Sequence, residues 1–234
     1  MASVLTRNPD RLFFAALASV ALTVALVGFA PTYYLKVWFD TPTLTPLIHI
    51  HAVVFTLWPV LLLTQGLLIR SNHIRLHRSL GKSAVVLVAL IVLTGFMVVM
   101  GKPRPGVQAR AFIFTPLLGL ILFTGFFAAA IWFRRDPGTH KRLMLLSALF
   151  IVPAGMIRIM RFSGVEPSVY VPLYEFVSYA LVLGPCVVYD FVQLRRIHPA
   201  TLWGGAILIL RHPLHAVVAH TDEWQRIAAW LTAS

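Results

Sequence analysis

Nine histidines stand in a chain of 234 residues, and several have spacings on which chemistry could be built. His73 and His77 are four apart, which stacks them on one helix face as in a helical metal site. With His140 and His198 they form a candidate metal cluster of four. The glutamate of a His-Glu-x-x-His motif is missing, and so are the dense histidine boxes that would hold two irons. Paired across facing helices, histidines could instead be axial ligands of a haem b. His77 with His140 would serve at one level, and His51 with His215 at another. From His51 to His77 is 26 residues, or about 39 Å of helix. Neither has a second histidine 14 residues on, where Gln65 and Ile91 stand. That spacing argues for one haem rather than a chain of two.

These residues must be carried by elements of one kind. Apolar residues make up 59% of the chain and charged residues 12%, with a mean hydropathy of +0.81. So little charge cannot cover a soluble globule, which excludes a soluble enzyme and a disordered tail. Continuous apolar runs of about 20 residues predict membrane helices. They cover residues 12–33, 46–69, 80–101, 111–133, 143–162 and 170–192, with a weaker seventh at about 200–218. The runs do not alternate, which excludes a barrel. The expected fold is all-α: one integral membrane domain over residues 1–234, a bundle of seven helices, or six if the last segment is interfacial. The first run is expected to be an uncleaved helix rather than a signal peptide, since it is long and Pro31 would follow the cut. Trp224 and Trp230 suit an interfacial tail. Loops of about 8–14 residues would make successive helices antiparallel neighbours, with kinks at Pro59, Pro153 and Pro185.

The net charge of +12 follows the same topology. With the N-terminus inside, 12 Lys and Arg lie on the inner side and 6 outside, or 8 with Arg211 and Arg226. The positive-inside rule then implies a membrane protein with a cytoplasmic N-terminus, whose inner face meets anionic lipids. Nucleic acid is not an expected partner, because the basic clusters are short loops without a fold for base readout. The single Cys186 excludes a disulfide and has no histidine beside it to make a nucleophile. Gly204-Gly205 lacks the lysine of a phosphate loop.

Polar side chains inside a membrane usually face the bundle interior. His51, Phe55, Trp58, Leu62 and Gln65 share one face of the second helix. His140, Met144, Ser147, Ile151, Ala154, Arg158 and Arg161 stripe the fifth. Glu175, Ser178, Tyr179, Val182, Cys186, Tyr189 and Gln193 stripe the sixth. His51, Arg158 and Glu175 fall at one level, about 6–8 Å inside the outer boundary. They predict an outer site in which Glu175 pairs with Arg158. Asp190 is expected to be matched by Arg195 or Arg196.

Gln65 followed by Leu76-His77-Arg78-Ser79-Leu80-Gly81-Lys82 resembles the Q…HR-x-x-G signature of a bacterial family of multi-pass "predicted membrane proteins". The likeness covers roughly residues 48–99, and Thr139-His140-Lys141-Arg142-Leu143-Met144 shares its flavour. The HR-x-x-G piece is also similar to one in cytochrome b561-like and ferric-reductase-type membrane domains. There the histidine belongs to a haem-bearing core, which implies a haem role for His77; the second histidine of the ferric-reductase pattern does not follow on this helix. Three functions follow as expectations. The first is a haem-binding or quinone-linked electron-transfer protein. The second is a small-molecule or proton-coupled transporter using Glu175, Arg158 and His51. The third is a subunit that assembles with a membrane protein partner.

Overall fold

A computed structural model describes residues 7–101 and 106–232. Lys102 and Arg104, counted above in an outer loop, lie outside that range. Among the described residues every regular element is helical: α1 (Arg7–Phe29), α2 (Pro46–Arg70), α3 (Ile74–Met100), α4 (Val107–Trp132), α5 (Pro137–Ala148), α6 (Val152–Phe162), α7 (Pro167–Leu194), α8 (Pro199–Val218) and α9 (Asp222–Leu231). A π-turn (Ala30–Tyr34) and a short 3-10 turn (Lys36–Trp38) follow α1. Among the described residues six spans are long and apolar enough to cross a membrane, with α5 and α6 together forming the fifth. The chain is a multi-pass membrane protein.

Its outer surface fits that solvent. Val86, Phe112, Ile121, Phe176 and Phe191 are all at least 60% exposed. In water such a surface would be an aggregation patch, and in lipid it is a satisfied one.

Two connections are tighter than the apolar pattern implies. Asn72, with φ of 62°, ends the turn after α2, so α3 begins at Ile74 and not near residue 80. His77 therefore sits in the second turn of α3. Arg195, with φ of 56°, likewise turns α7 into α8 within four residues. Arg195 thus ends a helix and, like Arg196, is exposed.

The fifth span breaks at Leu149–Ile151. Pro153 has no N–H for the Leu149 carbonyl and its ring crowds that turn, so the chain tightens into short-range hydrogen bonds before α6 starts. Phe150 swings out at the break and lies on Gly119 of α4, where a Cβ would meet its ring at 2.3 Å. Gly119 is thus used for packing within the chain. α7 runs on through Pro185 without a break, and α2 through Pro59.

α1 lies against α2, α5, α6 and α7. It meets α6 at a glycine pair: a Cβ on Gly28 would fall 2.3 Å from the Gly155 carbonyl oxygen. α8 packs on α5, α7 and α4. It then bends by 94° into α9, an amphipathic helix docked on the start of α4. Trp224 Nε1 donates to the Arg110 carbonyl at 3.1 Å, and Gln225 Nε2 to that of Val107 at 3.2 Å. The bent pair counts as a seventh span if α8 crosses.

Candidate functional site

At the end of the bundle where α2 finishes and α3, α5 and α8 begin, three residues of the Q…HR-x-x-G pattern form one unit. Two backbone groups fix the Gln65 amide. Its oxygen accepts from the Gly81 N–H at 3.0 Å and its nitrogen donates to the His77 carbonyl at 3.2 Å. The nitrogen also donates to His77 Nδ1 at 2.5 Å. Nδ1 is therefore an acceptor, and a neutral His77 carries its proton on Nε2. The partner imidazole is held in the opposite sense. His140 Nδ1 lies 2.7 Å from the Ala130 carbonyl, which can only accept, so His140 has Nδ1–H and a bare Nε2. The two rings are near enough for their charges to interact. A ring presenting N–H thus stands by a ring presenting a lone pair.

Beside this pair α5, α7 and α8 are bolted by a buried ion pair. Arg142 Nε donates to Asp190 Oδ1 at 2.9 Å, Nη2 donates to the same oxygen, and Nη1 donates to the Gly138 carbonyl at 2.8 Å. Asp190 also accepts from the His198 N–H at 3.1 Å. Its partner is Arg142 rather than Arg195 or Arg196, because Arg142 lies inside the helix packing that they leave. His198 caps α8, its Nδ1 accepting from the Ala200 N–H at 3.1 Å. Burial, then the Arg142 charge, lowers the His198 pKa. Nearby, Asp136 caps α5, and the Thr139 hydroxyl holds its carboxyl below the usual carboxylate range.

The opposite end holds a second buried pair, again with a different partner from the one expected. Glu175 accepts from Arg211 of α8, and from Tyr174 Oη at 3.2 Å; His212 Nδ1 is also 3.2 Å away. Arg158 does not reach it. The break after α5 separates the lower half of the polar stripe from its upper half, and α6 packs on α1 and α7 with Arg158 lying against Phe29 of α1. Tyr179 is buried near the Glu175–Arg211 pair, with its hydroxyl unpartnered among the described residues. The stripe on α7 is buried from Glu175 through Ser178, Tyr179 and Val182 to Cys186, but Tyr189 is half-buried and Gln193 exposed, and the buried polar group at that end is Asp190 instead.

Arg158 is half-buried, donates to the Ala154 carbonyl at 2.6 Å, and lies 4.1 Å from the Phe29 ring centroid. Arg161 is exposed. His51 packs on Phe55 at 4.1 Å, and Arg158 is close enough for its charge to act on it. Trp58 is buried between Phe123 and Phe127. His215 packs against Phe114 and His220.

The metal and haem expectations can be tested on these contacts. His73 Nδ1 is engaged by Ser71, His140 by Ala130 and His198 by Ala200, each locally. Among the described residues no three His, Cys, Asp or Glu come together as a metal site. A bis-histidine haem needs two bare Nε2 atoms. His140 offers one, but His77 would have to change tautomer and release Gln65, so the pair does not fit that group. The cavity between α4, α5 and α8, lined by Gly119, Ser147, Phe150 and Arg211 among others, is about 10 Å³. That is room for one water.

Arg142, Arg211 and His212 escaped the sequence reading. Arg142 looked like one more loop charge. Arg211 looked like the end of a span, although a lone arginine nine residues into an apolar run is what a buried Glu175 requires. No family model, curated protein or solved structure matches the chain.

Proposed function

We propose that the chain is a quinone-linked redox membrane protein in which His140 carries a proton and His77 hydrogen-bonds the headgroup. The observation that carries this reading is the pair of opposite tautomers. Reduction of a quinone to a quinol adds two electrons and two protons, and oxidation returns them. His77 Nε2–H can hydrogen-bond a carbonyl oxygen of the headgroup, while His140 Nε2 can take one proton from a hydroxyl and, once protonated, return it; the second proton is exchanged with water. Gln65 and Ala130 hold the rings so that neither needs to reorient. Electrons would be exchanged with a redox partner protein in the same membrane. The positive-inside balance supports a cytoplasmic N-terminus in a bacterial inner membrane, which puts this pair on the side rich in Lys, Arg and anionic lipid.

The test is titration of detergent-purified protein with a short-chain benzoquinone, followed by tryptophan quenching. Saturable binding is expected, weakened at least tenfold by His77→Ala and His140→Ala and unchanged by His73→Ala. No saturable binding, or equal binding by all three variants, sinks the reading. An absorption spectrum before and after dithionite separates the alternatives, since a Soret band would restore a haem.

A further inference from the structure

The other end of the bundle holds a cationic centre for which the described residues supply no acid. Among the described residues no carboxylate pairs with Arg158, although both buried carboxylates of the bundle have arginines of their own. Arg158 spends one N–H on Ala154 and one face on Phe29, leaving most of its five donors uncommitted. Arg161, one turn on, is close enough for the two charges to repel. His51 Nδ1 is buried without a hydrogen-bond partner among the described residues. Arg158 stands four residues from the end of α6, and His51 five from the start of α2. Both therefore lie about 6–8 Å below the helix ends, a depth from which an arginine side chain reaches the lipid headgroups.

Positive charge at this depth costs free energy unless something answers it. Here the answer is not in the described chain. We propose that Arg158 and His51 form a binding site for an oxyanion of the phosphate class, with Arg158 supplying charge-assisted hydrogen bonds and His51 Nδ1–H a third donor. Phe29 and Phe55 shield the donors from water on their apolar sides. Such a phosphate could be the headgroup of an anionic lipid or a free ion, and the chemistry is the same. The site is independent of the histidine pair at the opposite end.

The experiment uses the full chain, delipidated in neutral detergent, with two probes read by thermal unfolding and by native mass spectrometry. Inorganic phosphate tests the free ion, and short-chain phosphatidylglycerol the lipid, with phosphatidylcholine as the zwitterionic control. One of the two anionic probes is expected to stabilise the wild type and to bind at least tenfold more weakly to Arg158→Gln. Arg158→Lys should retain part of the affinity, and Arg161→Gln most of it. Stabilisation by phosphate assigns a soluble oxyanion, and stabilisation by phosphatidylglycerol alone assigns a lipid. Binding equal to phosphatidylcholine, or undiminished in Arg158→Gln, overturns the proposal. Should Arg158→Gln fail to fold, His51→Phe serves in its place, and undiminished affinity there overturns it as well. In the wild type, ¹⁵N-histidine spectra give a further reading: one Nδ1 resonance, absent from His51→Phe, should move on titration.

Discussion

Replacing Asp190 with Asn keeps its shape and removes its charge. Arg142, 4% exposed, would then face a neutral amide in a place that water does not reach. Two hydrogen bonds from the guanidinium to Asp190 Oδ1 would weaken, and the His198 N–H would lose a charged acceptor. Breaking a buried pair by removing one partner costs about 3–5 kcal/mol, most of it the orphaned charge. For a chain of this length, that is a fall in Tm on the order of 10 °C. The double variant Arg142→Met/Asp190→Leu has no orphan and should lose far less than the two single variants combined. Thermal unfolding of purified protein in detergent, followed by tryptophan fluorescence, measures all four corners of the cycle. If the double variant loses the sum of the single losses, Arg142 and Asp190 are not coupled, and the account of how α5, α7 and α8 are joined is wrong.

Gly155→Ala would place a Cβ 2.5 Å from the Val24 carbonyl oxygen, where backbone cannot yield, and should lower stability by about 1–3 kcal/mol or more. Gly125→Ala meets nothing within 4 Å and should be neutral or slightly stabilising in the same assay. Gly81→Ala puts its Cβ 3.6 Å from the Gln65 amide, an ordinary contact, so quinone binding should survive it and fall in Gln65→Leu. The His198 pKa is lowered in the fold, so the neutral ring stabilises. That contribution is complete above about pH 6.5, the unfolded value, and is lost as pH falls below it. His198→Asn keeps a cap on α8 and should flatten this part of the stability profile between pH 7.5 and 5.

The number of long apolar helices was legible in the sequence because each must satisfy its own backbone in lipid, and this prints as an uninterrupted run. Faces were legible in part for the same reason: α7 buries its polar stripe from Glu175 to Cys186, though not Tyr189 and Gln193 beyond it. Partners were not. Glu175 and Arg158 do fall at one depth, but depth along a helix says nothing of rotation about the bundle axis. Pro153 breaks the fifth span, and a continuous stripe cannot survive a break of three residues. Arg158 thereby lies against Phe29 of α1, while Arg211 took its place at Glu175.

That exchange bears on function as well as on fold. A membrane bundle places a charge in its interior at a cost, and each placed charge needs either a counter-charge or a ligand. Asp190 and Glu175 lie 15 residues apart on α7, about 22 Å of helix, and each has an arginine from another helix. These pairs fix α5 and α8 against α7 at two levels, which sets the rotation of α5 and so the position of His140. The histidine pair and the Arg158 centre are what this frame leaves over. One is a donor beside an acceptor and the other a cation without an acid among the described residues, so the chemistry of the chain is to be sought in these two places rather than in the two buried ion pairs.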